Sequence, residues 1–326
     1  MKITIASLTT LTVVGLSAAQ AYADNWTAYT YSSVSTTAAV QGMNRIADSV
    51  REETNGDLTM RLHLGKTLQI ASSDITQAVG DGIVDFAADL FFSGNVPIGR
   101  VLSLPMLIEN DDDWNAAYAV VQPHLEEGFA KQDVQYLGSY RYPQQVIFTS
   151  FEIDSLEDLA NHRIRVTSPE QGAFVEAFGG SPITLSGTEV PTALERGVID
   201  GVLTASAGGA KNWHEFLPYN YRLPVNYGYS AIIAHQASFD GLEPQTQALL
   251  TRIVLEESES ITDAFVIDEQ EQKTSQVAAG MTVIEATPEE VALARETLAP
   301  FWAQWAEQQG PEYQQVLEDV LTAMGR

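Results

Sequence analysis

His162-Arg163-Ile164-Arg165-Val166, Gly179-Gly180-Ser181-Pro182 and Gly187-Thr188-Glu189-Val190-Pro191-Thr192-Ala193-Leu194-Glu195-Arg196-Gly197-Val198-Ile199-Asp200-Gly201 follow one another within residues 162–201. Arg163 to Val166 reads as a strand. Phe174, Val175, Ala177 and Phe178 then lie on a helix that Gly179-Gly180 stops. Pro182 to Leu185 predicts a second strand, Pro191 to Glu195 a short helix, and Val198 to Leu203 a third strand. Ser155 with Asp158 has the pattern of a capping box just ahead of the stretch. Strands alternating with helices give a sheet flanked by helices, which is the α/β class.

The first half repeats this grammar. A strand from Trp26 to Tyr31 precedes a helix with Ala39, Val40, Met43, Ile46, Ala47 and Val50 at helical spacing, ended by Asn55-Gly56. Leu58, Met60, Leu62 and Leu64 alternate with polar residues as a strand does. A helix from about Asp74 to Val79 and a buried strand from Ile83 to Ala88 follow. Gln77-Ala78-Val79-x-x-Gly82-x-Val84-Asp85 also echoes Thr192-Ala193-Leu194-x-x-Gly197-x-Ile199-Asp200. Helix-glycine-strand junctions are common in α/β proteins, so the echo alone is weak. With the shared element order it predicts two related lobes, with a ligand cleft at the carboxyl ends of the strands. A long helix from Pro244 to about Ala279 is expected to bridge both lobes, and Thr287-Pro288-Glu289-Glu290 starts another.

The opening residues read as an address. Lys2, an apolar run from Ile3 to Ala19 and Ala21-Tyr22-Ala23 form the layout of a secretory signal over residues 1–23, cleaved before Asp24. No later stretch holds the ~18 unbroken apolar residues that a spanning helix needs. Lys and Arg number 17 against 43 Asp and Glu, a net charge of −26, which repels nucleic acid and anionic membrane. A cation inside a pocket would stand out against such a surface. Cysteine is absent, which excludes disulfides and thiol chemistry. His63, His124, His162, His214 and His235 are scattered without metal-ligand spacing, and no phosphate loop or serine elbow is present. Nothing in the chain demands an enzyme, a metal or a cofactor.

The stretch from His162 to Gly201 resembles the signature of the DctP-type solute-binding subunits of TRAP transporters. In that family a lysine-isoleucine-arginine-valine strand precedes a glycine-x-x-proline turn. A glutamate-valine-x-threonine-alanine-leucine helix ending in glycine-x-x-aspartate-glycine follows. Leu68, Asp81-Gly82-Ile83-Val84-Asp85, Leu104-Pro105-Met106-Leu107 and Ser155 to Leu159 extend the resemblance over nearly all of the chain after residue 23. It implies a two-lobed periplasmic-binding-protein fold and delivery of a small organic acid to large and small integral membrane subunits. It also implies that Arg165 binds the substrate carboxylate, for which the planar guanidinium fork is suited. The residues alone leave open a structural salt bridge from Arg165 to Glu189 or another acid. Arg163 is expected to meet solvent.

The chain departs from the family where many members carry a second arginine, since Gln145 stands there. Leu203-Thr204 replaces a polar pair, and Pro191 follows Glu189-Val190. One carboxylate with an uncharged remainder is therefore the expected ligand. Gln145 and Thr204 would offer hydrogen bonds, and Ser72 and Ser73 sit where family members contact ligand, or else cap a helix. Tyr31, Phe91, Phe92, Tyr142, Trp213, Tyr227 and Tyr229 fall where they would line the cleft, with core packing an equal reading for each. Glu189 would orient its loop or Arg165. The first lobe is read as 24–143 with about 233–272, and the second as 144–232 with about 273–326. The expectation is a periplasmic solute-binding protein. A secreted enzyme or a receptor-linked sensor on the same scaffold are the alternatives.

Overall fold

A computed structural model describes residues 24–187 and 189–326. The secretory-signal reading falls on residues 1–23, and with Thr188 it lies outside the described residues. The strands are β1 (Asp24–Thr30), β2 (Leu58–His63), β3 (Phe86–Asp89), β4 (Val134–Arg141), β5 (Gln145–Thr149), β6 (Arg163–Val166), β7 (Ser181–Thr184), β8 (Gly201–Thr204), β9 (Tyr219–Asn226), β10 (Tyr229–His235) and β11 (Thr282–Glu285). They form one sheet in the order β2-β1-β3-β10-β4 and another in the order β11-β9-β5-β8-β6-β7. Each sheet with its helices makes one lobe.

The echoed junction is the same structure twice. In both copies the helix ends in a glycine with positive φ, 68° at Gly82 and 61° at Gly197. The glycine N–H donates to Val79 in one copy and Leu194 in the other, and the next N–H reaches back to Ala78 or Ala193. That is the Schellman pattern, which closes a helix by using up its last carbonyls. Ile83 and Val198 therefore belong to the cap, and their side chains are 62% and 44% exposed. Strands expected from Ile83 and Val198 begin instead at Phe86 and Gly201. Val84 and Ile199 turn into the core. Asp85 and Asp200 each accept the N–H of a neighbouring strand, from Thr27 and Arg163, both at 2.8 Å. β3 and β8 are thereby registered against β1 and β6.

The chain leaves the first sheet after Arg141 and returns through Tyr227-Gly228, where the Tyr142 N–H donates to the Gly228 carbonyl at 2.9 Å. The two crossings run side by side. The return lies ahead of the 232/233 division read from sequence, because Tyr229–His235 pairs with β3 and β4.

The helix Pro244–Ala278 spans 35 residues, or about 52 Å at 1.5 Å per residue. Leu250, Ile253, Val254, Ile261 and Phe265 bury one of its faces in the first lobe. Farther along, it packs against Ser206–Ala210 of the second lobe. The expected bridge is present. Thr287 and Glu290 form the expected capping box at the start of the helix Pro288–Gln309. The C-terminal helices also straddle the lobes. Trp305 donates to Glu170 at 3.3 Å, while Trp302 donates to the Pro105 carbonyl at 2.8 Å. The segment after 273, read with the second lobe, thus rests on the first as well.

Candidate functional site

Arg165 occupies the interior of β6, opposite Ile183 of β7 and Val202 of β8. Arg163, at the first position of the strand, lies at its exposed end and binds Asp200 through two nitrogens at 2.7 and 3.0 Å. Arg165 is only 6% exposed. Its Nε donates to the Leu185 carbonyl at 3.0 Å, and its guanidinium carbon lies 5.5 Å from the Trp213 ring centroid. Among the described residues no carboxylate pairs with it. Burial pushes its pKa down to about 10, still cationic at neutral pH. The interior thus holds a cation whose terminal nitrogens make no hydrogen bond among the described residues.

Glu189 does not form the alternative salt bridge. Its carboxylate takes the N–H and hydroxyl of Ser186 at 3.0 and 2.6 Å. Those bonds hold its pKa below the usual range, the hydroxyl contributing most. Its role is to shape the loop after β7. Trp213 is fixed from behind by Gly209, where a Cβ would stand 2.0 Å from Cζ3 of the indole. Thr204, at the end of β8, accepts the Gly209 N–H at 2.9 Å. Gln145 begins the adjacent β5 and donates to the Pro143 carbonyl at 3.1 Å. Arg165, Trp213, Thr204 and Gln145 therefore all belong to the second sheet and the segment that follows β8.

A separate group lies on the first lobe. The hydroxyls of Tyr31 and Tyr142 meet at 2.8 Å, and Tyr142 also reaches Tyr140 at 3.3 Å and Ser230 at 3.4 Å. Burial raises the pKa of all three tyrosines, so they remain neutral. Phe91 packs edge-on to Tyr31 at 5.6 Å and is 39% exposed. No hydrogen bond, ion pair or ring contact joins this group to the Arg165 group among the described residues. Ser72 and Ser73 are exposed and join neither, nor does either cap a helix; Ser73 donates to Asp74 at 2.6 Å. Phe92, Tyr227 and Tyr229 are core residues. Phe92 packs on Phe129, Tyr227 lies under Arg141, and Tyr229 donates to the Gly99 carbonyl at 2.8 Å.

Asp89 ends β3 and was not singled out by sequence, because one acid among 43 Asp and Glu carries no signal. Its carboxylate is fully buried and accepts from the N–H and hydroxyl of Thr76 and from the Phe91 N–H, at 3.1, 2.7 and 2.7 Å. It fixes the turn that presents Phe91. Burial outweighs these bonds and raises its pKa to about 6 from 3.8. The folded chain then holds this proton more tightly than the unfolded chain. The group favours folding most below about pH 4, and that contribution is lost as pH rises toward about 6. A carbon-detected titration of the Asp89 carboxyl is expected to show a midpoint near 6, with the Thr76 and Phe91 amides moving in step. A midpoint at 4 or below would contradict this account.

The fold and these side chains can be set beside known proteins. Residues 30–309 match the family described as bacterial extracellular solute-binding protein, family 7, DctP. The chain belongs to that family. This family 7 protein is therefore a solute-binding protein of the extracytoplasmic kind, and its solved neighbours are receptors. It is 24% identical over 245 residues to the 2,3-diketo-L-gulonate-binding periplasmic protein YiaO of Escherichia coli, covering 73% of this chain and 74% of that one. It superposes on DctP7, a Bordetella pertussis extracytoplasmic solute receptor binding pyroglutamic acid, with a TM-score of 0.82. Identity there is 22%, over 91% of this chain and 99% of the other. A TRAP periplasmic solute-binding protein from Roseobacter denitrificans with bound β-D-glucuronate gives 0.82 at 20% identity, over 91% and 99%. These likenesses establish the two-lobed architecture. Among the described residues no helix is long and apolar enough to cross a membrane.

Proposed function

We propose that this family 7 protein captures one small organic acid in the periplasm by its carboxylate and hands it, unchanged, to the membrane subunits of a TRAP-type secondary transporter. The observation that carries the reading is Arg165, a buried cation on β6 without an acidic partner among the described residues. Its Nε is spent on Leu185, which leaves the four terminal N–H groups to grip a carboxylate side by side. Trp213 covers one face of the guanidinium. Thr204 keeps its hydroxyl proton and Gln145 its amide oxygen for the rest of the ligand. On this reading the opposite wall would be Tyr31, Tyr142 and Phe91, neutral and aromatic. Hinge closure over the two adjoining crossings would bring that wall down on the ligand and expel water, which strengthens every polar contact.

A wall without a cation suits a ligand with one carboxylate and an uncharged polar remainder. Pyroglutamic acid, glucuronate and 2,3-diketo-L-gulonate, named with the similar proteins, all have that form. The test is a thermal-shift screen over organic acids followed by calorimetry. A ligand at 100 times its Kd adds about 2.7 kcal/mol of stability. Monocarboxylates are expected to bind at least tenfold more tightly than matched dicarboxylates, and the reverse order would sink the ligand class. Ligand recovered chemically altered after denaturation would favour a secreted enzyme instead.

A further inference from the structure

The segment that carries Trp213 is irregular. Gly208 has φ −87° and ψ −129° inside the turn Ser206–Ala210. Such backbone leaves some N–H groups, those of Ala207 and Gly209 among them, to side chains, so its place is set partly from outside. Here the long helix does so. One oxygen of Glu269 accepts the Ala207 N–H at 2.8 Å, and the other accepts from Arg222 at 2.8 Å. Arg222 also donates to the Ser206 hydroxyl at 3.0 Å and to Asn220 at 3.1 Å. Asp268 takes Lys211 at 3.2 Å, and Gln276 donates to the Ser206 carbonyl at 3.2 Å. The Lys211 side chain is 47% exposed, so its pair with Asp268 is weakened by solvent. Arg222 and Glu269 are 14% and 12% exposed; losing either leaves a desolvated charge, and losing Glu269 also orphans the Ala207 N–H.

We infer that Glu269 is a positioning residue of the binding site: through Ala207 and Arg222 it sets the 206–210 segment, and with it the place of Trp213 over Arg165. The inference rests on the reading of Arg165 as the ligand anchor. Glu269 is far along the chain from the β6 motif and acts only through the groups it holds. Within the segment the Gly209 N–H is bonded to Thr204, and the indole of Trp213 lies on Gly209. A displacement at Ala207 therefore reaches both Thr204 and the ring. The same helix buries Ile261 and Phe265 in the first lobe. Glu269 thus ties the aromatic face of one lobe to the body of the other.

The experiment measures amide exchange and side-chain resonances on the whole chain without ligand. Glu269→Gln is expected to speed exchange at Ala207 and Gly209 at least tenfold. It should also displace the Trp213 indole N–H and the Arg165 Nε–H resonances, while amides of β1 and β10 keep their rates. Glu257→Gln, on the same helix but paired with Arg45 of the first lobe, should leave all of these unchanged. Arg222→Met removes the other half of the strut and gives the same two changes should Glu269→Gln not fold. Unmoved Trp213 and Arg165 resonances with unchanged exchange at Ala207 would overturn the inference, and so would a uniform rise in exchange along the chain. Arg165→Met ends carboxylate binding without altering exchange at Ala207, so failure of the ligand reading is told apart from failure of this one.

Discussion

Arg165→Met is expected to weaken carboxylate binding by at least a hundredfold while leaving the protein folded and no less stable. Two charge-assisted hydrogen bonds to a carboxylate contribute about 3–6 kcal/mol together, and each 1.4 kcal/mol is about tenfold in Kd. The stability half of the claim follows from the lack of an acidic partner among the described residues. Burial has moved the guanidinium from its ordinary 12.5 to about 10, so holding that cation in the empty protein costs about 3 kcal/mol. Methionine keeps most of the stem and removes the charge. Against this stand the lost bond to the Leu185 carbonyl and the lost contact with Trp213, about 1 kcal/mol each. The unfolding free energy in urea should therefore equal or exceed that of the parent protein. Arg165→Lys should recover little affinity, because an ammonium cannot present two parallel donors. Undiminished binding by Arg165→Met in calorimetry would remove Arg165 from the site. A large loss of stability would show that the guanidinium has a structural partner.

Gly209→Val is expected to cost both stability and affinity. At position 209 a Cβ would sit 2.0 Å from Cζ3 and 2.2 Å from Cη2 of Trp213. These are ring atoms of a side chain 7% exposed, so the indole must leave Arg165 or the 206–210 segment must open. Overpacking of this kind costs about 1–3 kcal/mol. If the ring leaves, the guanidinium also loses its aromatic face, and affinity should fall by at least tenfold. Gly94→Ala is the control, since nothing lies within 4 Å of the added carbon; it should stay within about 0.5 kcal/mol of the parent. Denaturant unfolding and calorimetry on the same pair of variants decide the matter. Affinity unchanged in a destabilised Gly209→Val would show that Trp213 packs beside the site without serving it.

These two residues differ in how far sequence could see them. Arg165 stood out because a charged residue between Ile164 and Val166 violates the pattern of a core strand. Gly209 carried no such mark; a Gly208-Gly209 pair four residues before Trp213 looks like any loop. The capping boxes at Ser155 and Thr287 were legible because the donors and acceptors lie three residues apart. Asp85 and Asp200 were legible as an echo, but their bonds to Thr27 and Arg163 span distant strands. Where the strands begin was misread at Ile83 and Val198, since an apolar residue in a helix cap looks like the first residue of a strand.

Local chemistry in the chain was enough to establish alternation of strands and helices, the helix ends, the repeated glycine junction and one misplaced cation. Each depends on neighbours within a few residues, whose spacing backbone geometry dictates. Packing alone decided that Asp200 pairs with Arg163 and not with Arg165. It likewise decided that Tyr31 and Tyr142 join hydroxyls while Tyr229 is sealed in the core, and that Glu269 grips the segment behind Trp213. Those outcomes depend on which surfaces meet after the chain has crossed between its lobes, and residues far apart in sequence carry no local sign of that meeting.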